Sequence, residues 1–413
     1  MLAPDTTVLT DRRTPLRVVR RLDGGAEGDA YEVLHVPSGE FGVLKTFRDV
    51  TRKDLRRERT RYLIGLDLEA LSPTLHPPRE FVDALPGGGH YARMAVGTTL
   101  RELLDGASPP LITALGAAVA LAHSVDVVHA RDVAHGDLHD ANVRAEIRDG
   151  VIRIKLIDLD GFAAPGFPSP VAGAELYMAP EVRRAVDAGR AAPVSLAADR
   201  FALSLLIHEI LLWVHPAVAP DGAGDVDATL RALSDGRWRF NSTLDRPANP
   251  GLPAEMLDPA LRALFARGLG LDPAQRPTAD EWKRALTRSL WEVWRCARCE
   301  AQVVIDDSKS ACLFCGEPYP SLALETADGR RLDLGIVRTL GRDDLGGSRH
   351  VSARQATIRR HGPDYRISAM GINPTCRRNH ATGAWIELPS DEAVLIHPGD
   401  VLRLADVEIR VVS

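Results

Sequence analysis

His135-Gly136-Asp137-Leu138-His139-Asp140-Ala141-Asn142 is the stretch on which the reading of this chain turns. It sets a carboxylate and, five residues later, an amide on one short loop. Phosphoryl transfer from a nucleotide requires that pair: Asp137 to take the proton of an attacking hydroxyl, Asn142 to hold a magnesium ion. Covalent geometry fixes their separation. Asp and Asn are also common turn residues, so the reading depends on what stands on either side.

Upstream, Leu16–Val33 alternates around Gly24, Gly25 and Gly28, which predicts a strand, a glycine turn and a second strand. Such a turn lets backbone N–H groups approach phosphate without side chains intervening. Phe41-Gly42-Val43-Leu44-Lys45 reads as a strand ending in a lysine. Arg52–Glu69 has a helical pattern that places Glu58 and Glu69 on one face. One of the two should pair with Lys45; Glu58 is preferred because Tyr62 and Leu63 follow it on a core-facing side. The Arg-rich run Thr51–Arg61 reads as a solvated helix face. Leu111–Ala130 reads as a buried helix leading into the loop.

Downstream, strands over Val143–Ile147 and Val151–Ile157 join at Asp149-Gly150, a turn signal. The second strand delivers Asp158-Leu159-Asp160-Gly161. Asp158, at the strand end, is the preferred metal ligand and Asp160 the second candidate. Gly173-Ala174-Glu175-Leu176-Tyr177-Met178-Ala179-Pro180-Glu181, Asp199 at the head of the apolar Phe201–Trp213, and Arg276 in Asp272–Thr278 complete the series.

Taken in order, these segments resemble the protein-kinase superfamily, and the Ala-Pro-Glu block resembles eukaryotic-type, bacterial Ser/Thr kinases. The resemblance implies an α+β bilobal fold. It also implies that Gly24, Gly25, Gly28 and Lys45 hold ATP, with Met94 in the adenine-receiving hinge Tyr91–Gly97. Asn142 and Asp158 would hold magnesium, with Asp137, Lys45 and Glu58 in the catalytic set. Asp199 would bind the backbone of the catalytic loop, and Arg276 would form a buried ion pair with Glu181. Gly136 replaces an arginine that binds activation-loop phosphate in many kinases, His139 replaces a lysine, and Asp23 replaces the first loop glycine. Ser169 is the only serine or threonine between Asp158 and Glu181, so activity should not depend on phosphorylation there. Small-molecule kinases also write His-Gly-Asp-Leu-His. A protein substrate is therefore one reading, a small-molecule phosphotransferase a second, and a nucleotide-binding scaffold without turnover a third.

Cys296-Ala297-Arg298-Cys299 and Cys312-Leu313-Phe314-Cys315 form two Cys-x-x-Cys pairs with twelve residues between them. This spacing predicts a tetrahedral thiolate site for structural zinc that leaves no open position for water. Ser321–Ser413 shows short alternating strands and predicts an all-β sandwich. Gly341-Arg342, Val351–Ile358, Gly371–Thr375 and Leu395–Asp400 resemble a forkhead-associated (FHA) domain, a family that binds phosphothreonine peptides. The resemblance assigns Arg342 and Ser352 to the phosphate, Thr375 nearby, and Asn373 to the peptide backbone. Ala353, Gln355 (for a structural histidine) and Pro374 depart from it. Implied partners are a protein substrate and a phosphothreonine protein, or this chain's own start if Thr6, Thr7, Thr10 or Thr14 is autophosphorylated. Similar kinases occur with a von Willebrand-type protein and a metal-dependent phosphatase.

The chain has 413 residues, 45% hydrophobic and 26% charged, with net charge −5 and pI near 6.2. That balance gives no reason to expect nucleic acid or an anionic membrane as partner. Met1–Thr10 lacks a signal-peptide pattern, and Phe201–Ala219 carries His208, Glu209 and His215, so it reads as a core helix. Cys-x-x-Cys pairs without an export signal suggest metal and a cytoplasmic protein. The expected organisation is a tail (1–14), an N-terminal lobe and hinge (15–97), a C-terminal lobe (98–290), a zinc ribbon (291–318) and an FHA-like sandwich (319–413).

Overall fold

The computed structural model describes residues 1–24, 28–106, 109–217, 225–238, 254–305 and 309–413. The chain forms two compact units, Met1–Ala254 with Ala260–Thr287, and Glu255–Pro259 with Arg288–Ser413.

The first unit opens with an antiparallel sheet. Its strands are β1 (Thr7–Leu9), β2 (Pro15–Gly24), β3 (Gly28–His35) and β4 (Glu40–Phe47), followed after two helices by β5 (Pro78–Phe81) and β6 (Gly89–Arg93). They lie in the order β1-β2-β3-β4-β6-β5. Residues 1–14 are therefore not a tail: β1 pairs with β2, and Thr10 is buried with its hydroxyl on Glu80. The core alternates as a half-buried sheet should, with Leu16, Val18, Tyr31, Val33 and Leu44 inward. The predicted helix is two pieces, α1 (Lys53–Gly65) and α2 (Leu68–Leu71), parted at Asp67, whose left-handed φ of 48° ends the first.

The rest of the unit is mostly helical. It runs β7 (Thr98–Thr99), α3 (Leu100–Gly106), α4 (Leu111–His129), β8 (Val143–Arg148), β9 (Val151–Leu156), α5 (Pro180–Asp187), α6 (Leu196–Leu212), α7 (Val226–Ser234), α8 (Pro259–Gly268) and α9 (Ala279–Trp291). β8 and β9 form the hairpin expected at Asp149-Gly150. α4 is long and apolar enough to cross a membrane, yet more than half of it is buried, and it packs on β9 and α6. α6 is buried from Phe201 to Leu212, and Ser195 caps its first turn.

The second unit holds the hairpin β10 (Val293–Arg295) and β11 (Gln302–Val304), which leads into the cysteine pairs. Two antiparallel sheets follow. One orders as β13-β12-β21-β20-β17-β18, from β12 (Ala323–Thr326), β13 (Arg331–Asp333), β17 (Thr375–Arg378), β18 (Trp385–Glu387), β20 (Val401–Leu404) and β21 (Val407–Val412). The other orders as β14-β15-β16-β19, from β14 (Val337–Leu340), β15 (Ala356–His361), β16 (Asp364–Ala369) and β19 (Val394–Ile396). Leu324, Ile358, Tyr365, Ile367, Leu402 and Ile409 from both sheets share one core. This is the all-β sandwich the alternation predicts.

Candidate active site

β4 places Lys45 inside the sheet, opposite Ala30 of β3 and His90 of β6. The Lys45 ammonium lies 2.9 Å from Asp158 Oδ1 and 2.9 Å from Asp160 Oδ2. Burial opposes its charge, but the two carboxylates prevail and keep it protonated. Asp158 takes a left-handed φ of 61° and opens the tight turn Leu159–Gly161, which brings Asp160 round to the same amine. Burial and Asp160 together push the Asp158 carboxyl upward. Burial would raise Asp160 too, but Lys45 holds it well below the usual carboxylate range.

The expected helix glutamate is absent from this cluster. Glu58 is exposed, and Glu69 is taken by Arg79 (2.6 Å) and Arg93 (3.3 Å). The inward row of α1 runs through Arg59 and Leu63, one position on from Glu58, and a one-residue step turns a helical side chain by about 100°. Arg59 is buried and donates to Pro168 O (2.8 Å), Asp160 O (3.3 Å) and Phe162 O, with its guanidinium 4.1 Å from the Phe162 ring centroid. Tyr62 stacks on Phe162. The sequence reading missed Arg59, one of several arginines in α1.

Asp199, in the first turn of α6, holds the catalytic loop. It accepts from His135 N at 2.5 Å and Gly136 N at 3.1 Å, and bonds His129 Nε2 at 3.1 Å. His129 was not anticipated, and no motif marks it. The buried His135 bonds Ile157 O through Nε2 at 2.9 Å, and its Nδ1 accepts from Asp137 N at 3.3 Å. Asn142 Nδ2 donates to Asp137 O at 2.9 Å, while Ile157 N donates to Asn142 O at 3.0 Å. One hydrogen-bonded knot thus brings Asp137, Asn142 and the approach to Asp158 together. The nitrogen of the Asn142 amide is committed, which leaves its oxygen as the acceptor a magnesium ion needs. The residues present fit that ion.

Burial would raise Asp137, but His139 and the backbone N–H of Ala174 hold it below the usual range, so it stays ionised. Burial likewise opposes the charge on His139, yet Asp137 (3.7 Å) and Asp140 (3.5 Å) raise it to about 9. Gly136 has φ 82°, and a Cβ there would stand 2.4 Å from Gly161 O. The motif arginine is therefore excluded by backbone as well as by sequence. Ser169 Oγ lies 2.6 Å from Gly161 O and 2.8 Å from Val171 O, so its single proton serves one or is shared between the two, binding the loop to itself. A cavity of about 310 Å³ behind Lys45 is lined by His90, Arg59, Leu63 and Phe162. Another, about 630 Å³, lies beside His139 and Tyr177.

Gly24 and Gly28 flank the glycine turn, and Gly25 lies outside the described residues. A Cβ on Gly28 would stand 1.7 Å from Thr46 O, so only glycine fits beside β4. Half-buried Met94 follows β6 and donates its N–H to Phe41 O. The side chain of Arg276 is fully buried and makes a bidentate pair with Glu181, 2.7 Å on each arm.

In the second unit the Sγ atoms of Cys296, Cys299, Cys312 and Cys315 all lie within 4.8 Å of one another, with edges of 3.5 and 3.7 Å. Tetrahedral zinc with Zn–S bonds of about 2.3 Å requires S–S edges of about 3.8 Å. The four sulfurs fit that ion. In the sandwich, Arg342 and Asn373 are exposed and Ser352 is half-buried. Gln355 is buried beneath them; it accepts from Ser352 N (3.0 Å) and donates to Asn373 O (2.7 Å) and Thr375 Oγ1 (3.0 Å). Thr375 is only 1% exposed, so its place is under the loops and not against a ligand.

The protein kinase domain family model matches residues 98–286. The solved kinase domain of Mycobacterium tuberculosis PknI is 22% identical, covering 70% of this chain and 99% of that one, with a TM-score of 0.46. A structure of the Rad53 kinase domain and SCD2 is 15% identical, covering 62% and 85%, with a TM-score of 0.46. No curated protein matches the chain significantly. Over residues 98–286, which run from β7 into α9, the chain is therefore similar to a protein kinase domain.

Proposed function

We propose that the chain is an ATP-dependent protein serine/threonine kinase whose sandwich recognises phosphothreonine. The carrying observation is the knot, held on Asp199, that brings together Asp137, Asn142 and Ile157, the residue before Asp158. Lys45 and the glycine turn would hold the nucleotide phosphates, and Asn142 and Asp158 the magnesium ion. That ion, when bound, neutralises phosphate charge. Asp137, kept ionised by His139 and Ala174 N–H, would orient the acceptor hydroxyl and take its proton, so the rate gain comes from position and charge. Phosphate transfer from labelled ATP with magnesium tests this, comparing wild type with Asp137→Ala and Asp158→Ala. Label on a generic protein substrate, lost in both variants, supports the kinase. No label from folded wild type supports instead a nucleotide-binding scaffold, a reading favoured by the missing α1 carboxylate.

The FHA reading is supported by Gln355, which braces the loops bearing Ser352 and Asn373 where the family uses histidine. Arg342 and Ser352 would meet the phosphate and Asn373 the peptide. Peptides with and without phosphothreonine should bind differently to the full chain, and equal binding refutes recognition. Exposed Thr7 remains a candidate autophosphorylation site, whereas Thr10 does not. The four-cysteine site would hold structural zinc.

A further inference from the structure

Lys45 sits between two carboxylates that both come from the turn after β9, and no α1 carboxylate reaches it among the described residues. Both oxygens of Asp158 lie on Lys45, at 2.9 and 3.2 Å, so a metal ion held by Asp158 would compete with the lysine for the same atoms. Asp160, the second metal-ligand candidate of the sequence, turns a carboxylate oxygen to Lys45 as well. Its Oδ2 lies 2.9 Å from Lys45 Nζ, and its backbone is gripped from two sides. Arg59 of α1 donates to the carbonyls of Asp160 and Phe162, and Ser169 Oγ lies 2.6 Å from that of Gly161.

We propose that Asp160 is the positioning residue that anchors Lys45, in the place of the helix glutamate. The lysine is thus held from the loop, and α1 acts on it only at one remove, through Arg59. This rests on the kinase reading for what Lys45 does to a nucleotide, but not for what holds Lys45.

The test uses the full chain and an amine-acylating reagent, with Lys45 modification followed by peptide mass spectrometry. Asp158→Asn imitates loss of Asp158 to a metal and should leave Lys45 slow to react, protected by Asp160. Adding Asp160→Asn to that variant should speed acylation about tenfold, the scale on which a lost opposite charge alters an amine. Asp158→Asn with Asp160→Glu should restore protection, which a merely misfolded loop would not. Fast labelling in Asp158→Asn alone, or in Glu58→Gln, overturns the proposal. In transfer assays Asp160→Asn should raise KM for ATP about tenfold, the scale of one lost hydrogen bond to a charged group, and leave KM for the acceptor unchanged. Wild type without any transfer would sink the kinase reading, while the labelling series would still decide the anchor.

Discussion

Gly136 and His139 lie on either side of Asp137 in the chain and shape the base in different ways. Gly136 gives the backbone its turn, and any side chain there meets Gly161 O. Gly136→Ala should cost about 1–2 kcal/mol from the left-handed conformation alone, with more from the collision. A lowered denaturant midpoint and lost phosphate transfer would check it. His139 supplies charge. Its folded value of about 9 lies above the free imidazole's 6.5. Its contribution to stability is therefore full below about pH 6.5 and lost as pH rises through about 9. Melting temperature should fall across that window, and His139→Gln should flatten the decline.

At the scale of elements, α6 matters because its first turn aims a carboxylate backwards into the catalytic loop. Asp199→Ala orphans the N–H groups of His135 and Gly136, at about 1–3 kcal/mol for each buried group. Turnover should fall far more than nucleotide affinity, which separate kinetic and calorimetric measurements would show. The two cysteine knuckles make a similar element-level unit. Cys299→Ser should lower zinc content, read by metal analysis, below the one ion per chain expected of wild type.

What was legible in the sequence follows the same division. The hydrogen bonds of Asp199 to the loop backbone and of Arg276 to Glu181 follow from residue types with distinctive chemistry in short motifs, whereas the bond of Asn142 to Asp137 O was not anticipated. The phase of α1 was not legible, because its arginines obscure which face is buried. Arg59 looks like a solvated cation until the carbonyls it reaches are known. Thr375 was misassigned because neighbours in a loop need not share its surface, and β1 was missed because a three-residue strand is too short to show a period.

For the whole molecule, the Arg276–Glu181 pair joins segments 95 residues apart. The full burial of the guanidinium makes the pair costly to break: Arg276→Ala should destabilise the first unit by about 3–5 kcal/mol, measured by denaturant unfolding. Replacing both partners with apolar residues should recover much of that loss, since neither charge is then stranded.

Arg59 spends its donors on main-chain oxygens, which every amino acid supplies. Mutational drift at exposed position 168 would therefore leave its hydrogen bond intact, and paired changes across that contact would leave no trace in a family of descendants. Position 59 itself has no such latitude, because the spread of a planar guanidinium, not its charge alone, reaches three oxygens. In lineages related to this chain, an invariant arginine facing a variable residue at position 168 would be the genetic signature of this grip.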